Sequence, residues 1–93
     1  RPVACAFLQE VLEWNEAIEE ARAAGPGSPA HAALAALTEV LRGARAQGMQ
    51  RIARALTPLP APGAPALRGV RQELNALRYL ERALRELGEL AVR

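Results

Sequence analysis

The sequence predicts an all-α protein, an antiparallel bundle of three long helices with the second broken near Gly43-Gly48, and three observations carry that expectation. Alanine and leucine dominate an apolar fraction of 51%, whereas aromatic residues reach only 3% and β-branched ones are sparse, a balance that favours helices over strands. Apolar positions recur at spacings of three and four. Gly25-Pro26-Gly27 and the run from Thr57 to Pro65 interrupt that period and mark two connections. At 93 residues the chain is one domain, 1–93, or a piece of one, with a modest core.

The first helix is expected over 3–24. Val3, Phe7, Val11, Trp14 and Ile18 follow one another at intervals of four, four, three and four, while Glu10, Glu13, Glu16, Glu19 and Glu20 fill the gaps. Pro2 suits a helix start, where a missing N–H costs nothing, and Gly25-Pro26 stops the ladder. Ser28 then reads as an N-cap with Pro29 in the first helical position, opening a second helix over 29–43. Leu34, Leu37 and Leu41 continue its stripe and Val40 widens it.

Gly43 and Gly48 each cost a helix about 1 kcal/mol relative to Ala, so a break is expected between them before the period resumes over 46–57 with Met49, Ile52 and Leu56. Four prolines between Thr57 and Pro65 make a stiff, extended connector. The last helix is expected over 66–91, striped by Leu67, Val70, Leu74, Leu77, Leu84, Leu87 and Ala91. Short connections pack such helices antiparallel. The predicted core is Phe7, Val11, Trp14, Ile18, Leu37, Leu41, Ile52, Leu56, Leu74, Leu77, Leu84 and Leu87.

Catalytic chemistry finds little to work with. His31 is the sole histidine and Cys5 the sole cysteine, and antiparallel packing puts the starts of the first two helices at opposite ends, too far apart for a nucleophile and its base. A buried, inert Cys5 and an exposed His31 in the first turn of the second helix are the simpler expectation. One Cys and one His cannot build the usual three or four ligands of a metal site, and no glycine-rich phosphate loop follows a strand, so neither metal nor cofactor is expected. A lone cysteine fits a reducing, cytoplasmic setting, and no apolar run approaches the roughly 20 residues of a membrane span.

Charge is divided unevenly. Residues 1–43 carry three Arg against six Glu, and residues 44–93 carry nine Arg against four Glu, so the halves attract each other or the second attracts something acidic. Arg71, Arg78, Arg82 and Arg85 line one side of the last helix and form a candidate basic face, with Arg45, Arg51 and Arg54 in the preceding segment. Interleaved Glu81, Glu86 and Glu89, and the lack of stacking aromatics beside them, weigh for a solvated or partner-facing surface over nucleic-acid binding.

Surplus apolar residues point to a protein partner. Leu8 and Leu12 widen the first stripe, Val40 the second, and Tyr79, Leu80 and Leu90 the last; with Trp14 as a possible anchor they make a candidate interface. A three-helix bundle needs one seam per helix, so the excess is expected as an exposed patch and, in a free-standing protein, a helix-mediated homodimer. A non-catalytic helical interaction module, or dimerising scaffold, is the leading reading. An Arg-rich nucleic-acid binder comes second, and a thiol-dependent enzyme third.

The segment Leu8-Gln9-Glu10-Val11-Leu12-Glu13-Trp14-Asn15, with Ile18 after it, resembles a stretch near the C-terminus of dynein heavy chains. Leu34 to Gly43 is similar to that family's Leu-x-x-Leu-x-x-Ala-Ile-Lys-Gly, Met49-Gln50-Arg51-Ile52 to its Leu-Glu-x-Val, and Pro65-Ala66-Leu67-Arg68 to its Pro-Ser-Leu-Lys, in the same order. The resemblance implies a divergent member, a cytoskeletal setting, and helices at the boundary between the sixth AAA+ unit and the C-terminal domain of a microtubule motor. It carries over no catalytic residue, because the family's nucleotide-binding loops lie outside this region.

Overall fold

The computed structural model describes residues 5–91, apart from the side chain of Cys5, as four α-helices: α1 Cys5–Ala24, α2 Pro29–Ala32, α3 Leu34–Ala55 and α4 Pro65–Ala91. No strand occurs among the described residues. Pro2 and Val3, proposed as the start of the first helix, lie outside them, and so does the expected burial of the Cys5 thiol.

The first connection forms as its residue types require. Gly25 takes a φ of 85° and donates its N–H to the Ala21 carbonyl at 2.9 Å, closing α1 in a left-handed turn that an L side chain would strain. Ser28 then caps α2: its Oγ accepts from the His31 N–H at 3.1 Å and donates to the Gly25 carbonyl at 2.8 Å, which ties the end of α1 to the start of α2.

The expected break at Gly43-Gly48 is absent, since α3 runs unbroken from Leu34 to Ala55. The second limb bends instead at Ala33, where α2 leaves off against α1 and α3 sets out along α4. Gly48 has a different purpose from kinking the helix. A Cβ placed there would lie 3.3 Å from Leu77 Cδ2, so its missing side chain lets α3 and α4 approach closely, and packing outweighs the propensity cost.

α3 and α4 form an antiparallel hairpin whose register is fixed by Arg45 with Glu81 at one level and Arg51 with Glu73 at another. α1 runs parallel to α4 and beside only its C-terminal half: Phe7 meets Tyr79, and Val11, Trp14 and Glu19 share a groove with Tyr79, Ala83 and Glu86. Among the described residues the molecule is therefore a three-helix body continued by a two-helix arm. Its extents of 51 × 23 × 15 Å and radius of gyration of 15.8 Å express this, against about 12 Å for a compact chain of the same length.

Burial follows the number of helices covering each stretch. In the body Trp14, Ile18, Ala21, Leu34, Leu41, Leu77, Leu80, Ala83, Leu87 and Leu90 form one cluster, with Phe7, Val11, Leu37, Ile52 and Leu84 packed against it. Leu56 is half-buried. Leu74, expected in the core, is 46% exposed because it points away from α1: it lies about 140° round α4 from Tyr79 and about 180° from Ala83, which line the groove with α1, whereas Val70 of the same arm is buried. Leu80 and Leu90, expected as surplus, are core because α4 packs beside both α1 and α3 there and buries a wider stripe.

Candidate functional site

One side of α1 carries Leu8, Leu12, Asn15 and Glu19 at spacings of four, three and four, a single stripe about a quarter of the way round the helix from the buried Ile18. Leu8 is 40% exposed and Leu12 57%, and Tyr79 on α4 is 40% exposed. Tyr79 is held edge-on against Phe7 with ring centres 5.9 Å apart, and Phe7 in turn stands edge-on to Trp14 at 5.6 Å. The three aromatics thus make one ladder from core to surface, with Tyr79 its outer rung.

Of the residues expected at an interface, Leu8, Leu12, Val40 and Tyr79 are exposed, whereas Trp14, Leu80 and Leu90 are buried within the chain and unavailable to a partner. Val40 projects from α3, more than half exposed. The arm adds two residues that sequence reasoning did not single out for a surface, Met49 and Leu74, each about half exposed. The angular position of Leu74, about 140° round α4 from Tyr79, held the signal for its exposure.

Arg71, Arg78, Arg82 and Arg85 all face solvent along α4. Arg82 reaches Glu86 at 4.0 Å, and among the described residues Arg71, Arg78 and Arg85 have no carboxylate partner. Arg45, Arg51 and Arg42 are instead engaged with Glu81, Glu73 and Glu39. The hydrogen bonds that the Arg51 guanidinium donates to the Glu73 carboxylate hold it above its ordinary pKa, with desolvation opposing and the charge attraction adding to the rise.

Two concavities lined by described residues are small. The groove of Val11, Trp14, Asn15, Tyr79 and Arg82 measures about 230 Å³, and a second, beside His31, Leu34, Thr38 and Leu87, about 270 Å³; both fall below the roughly 300 Å³ at which small-molecule pockets begin. His31, expected to be exposed, is half-buried, with Nε2 shut away from solvent and without a hydrogen-bond partner among the described residues. It stands at α2, beyond the far end of the helix that Cys5 opens. No group of three potential metal ligands occurs among the described residues, and no helix there is long and apolar enough to cross a membrane.

The family model of the HSCB C-terminal oligomerisation domain matches residues 4–88. The chain belongs to this family. No curated protein and no solved structure gave a match.

An HSCB C-terminal oligomerisation domain is a helical interaction module, which accounts for a bundle whose outer edge carries leucines. Membership overturns the dynein resemblance. Each dynein-like segment was a short amphipathic pattern, and apolar residues at three-and-four spacing recur in any helix that packs on one side. The HSCB model, by contrast, spans nearly the whole chain in one match.

Proposed function

We propose that this chain is the helical interaction module of a co-chaperone and that it works by self-association. The observation that carries the reading is the apolar edge of Leu8, Leu12 and Tyr79, exposed on a body whose other large apolar side chains are mostly packed inside. Membership of an oligomerisation family supports it. Leu8 and Leu12 lie four residues apart on a rigid helix, and such a pair anchors a second helix at low entropic cost because its backbone is already ordered. No catalytic step is assigned to the chain.

Sedimentation equilibrium of the purified chain from micromolar to hundreds of micromolar tests this. A reversible dimer is expected, and Leu12→Arg should shift it to monomer while leaving helicity unchanged, since Leu12 is 57% exposed and stands outside the buried cluster. A wild-type chain that stays monomeric throughout would overturn the reading.

A further inference from the structure

The hairpin of α3 and α4 has two long flanks, and α1 covers only one of them. Its interhelical ion pairs mark the two: Arg51 stands about 120° round α3 from Arg45, and Glu73 about 80° round α4 from Glu81. Ala44, packed against the core cluster that includes Trp14 and Ile18, stands about 20° from Arg51, so the flank of Arg51 and Glu73 is the one that α1 takes in the body. Arg45 and Glu81 mark the flank turned away from α1.

On that far flank α4 sets Leu67, Leu74, Arg78 and Arg85 within about 60° of Glu81, and α3 sets Met49 and Leu56 within about 40° of Arg45. Gly48 meets both Leu77 and Glu73, so its neighbour Met49 comes level with Leu74. Seven residues nearer the connection in each helix, Leu56 and Leu67 make the next pair. Met49 is 48% exposed and Leu74 46%, whereas Leu56 and Leu67 are half-buried and floor the trough between the helices. Arg78 and Arg85 border it without a carboxylate partner among the described residues, while Glu81 is taken by Arg45.

An apolar trough between two helices, edged by unpaired guanidinium groups, is complementary to a helix whose apolar stripe is flanked by carboxylates. The hairpin already holds such a helix on its other flank, since α1 carries five Glu against one Arg. Arg71, Arg78 and Arg85 repeat every seven residues, about 10.5 Å, an interval at which carboxylates recur along one flank of a facing helix. Nucleic acid would neutralise these arginines but leave the apolar floor in water.

We propose that the flank of the hairpin turned away from α1 is a second docking surface, and that its occupant is an acidic amphipathic helix of another protein, seated over Met49 and Leu74 with carboxylates toward Arg78 and Arg85. The surface is separate from the edge of Leu8, Leu12 and Tyr79, so one chain can self-associate and hold this helix at once.

Titration with a synthetic helix tests this. The probe has about 18 residues, enough to run from Leu67 to Arg85, with leucines at spacings of three and four and glutamates beside them. Fluorescence anisotropy of a dye at its end should saturate below about 1 mM chain, and a probe of the same composition in scrambled order should not bind. Leu74→Ser should weaken binding roughly tenfold. Arg78→Glu should weaken it by about the same factor and favour a probe with lysines in place of the glutamates. Both residues are exposed, so circular dichroism of each variant should match wild type, and Leu74→Ser should self-associate as wild type does. No binding, binding indifferent to Leu74→Ser, or equal binding of the scrambled probe overturns the proposal. Loss of self-association in Leu74→Ser also overturns it, because a second copy would then cover this flank. A wild-type chain that stays monomeric yet binds the probe in the expected way upholds the docking surface and overturns self-association alone.

Discussion

Gly48 sits at the closest approach of α3 and α4, and replacing it separates helix propensity from packing. Gly43, five residues earlier on the same helix, has nothing within 4 Å of where a Cβ would stand, whereas at Gly48 that atom would lie 3.3 Å from Leu77 Cδ2 and 3.6 Å from Glu73 Oε1. Gly43→Ala should stabilise by about 0.5 to 1 kcal/mol, the ordinary gain for removing a helix-interior glycine. Gly48→Ala starts from the same gain and loses it to the displacement of Leu77, a buried side chain with little room to retreat. Gly48→Val pushes further methyl groups into that contact and should cost about 1 to 3 kcal/mol relative to Gly43→Val. For a domain of this size the two valine variants should melt roughly 5 to 20 °C apart. Thermal unfolding followed by far-ultraviolet circular dichroism, at one fixed protein concentration, reads that gap. Equal melting temperatures would refute the close approach and, with it, the explanation of why α3 tolerates a glycine there.

Other substitutions probe the remaining seams. Ile18, almost wholly buried between helices, should cost about 2 to 5 kcal/mol as Ile18→Ala in urea unfolding of dilute protein, whereas Leu12→Ala should stay within about 0.5 kcal/mol under the same conditions. Ser28→Ala removes both the cap on α2 and the bond back to Gly25, and should cost about 1 kcal/mol in the same assay. A double-mutant cycle on Arg51 and Glu73 should return a coupling of at most about 1 kcal/mol, because both side chains meet water, and the coupling should shrink in high salt. Arg51 has its folded pKa raised, so its contribution is complete below the guanidinium's own range and is lost only in strong alkali. Deprotonation of Arg51 should therefore add no slope to unfolding free energy measured between pH 6 and pH 8.

Local chemistry was legible in the sequence where it depends on neighbours along the chain. Gly25 ending α1, Ser28 and Pro29 opening α2, and the helical character of everything between the connections all follow from residue type at a fixed offset. What could not be read is how many helices lie beside a given turn. Leu74 and Leu80 look alike in the α4 pattern, yet one is exposed and the other buried, because Leu80 turns into the cluster shared with Trp14 and Leu41 whereas Leu74 turns away from α1. Gly43 and Gly48 also look alike, and only the facing Leu77 distinguishes a tolerated glycine from a necessary one. Candidate interface residues divided on the same ground: Leu8, Leu12, Val40 and Tyr79 project from the edges, while Trp14, Leu80 and Leu90 fall inside the seam between three helices.

The division into body and arm also implies an uneven resistance to opening. Residues near Leu77 to Leu90 are closed in by two neighbouring helices, and their amide protons can exchange with solvent only when the core cluster comes apart. Backbone around Met49 to Ala55 and Leu67 to Leu74 is held by a single seam, in which Val70 is the one wholly enclosed large side chain, and can fray while the body stays intact. Amides of the arm should therefore exchange sooner than those of the body, a gradient along α4 that hydrogen exchange read by mass spectrometry would display within a single helix.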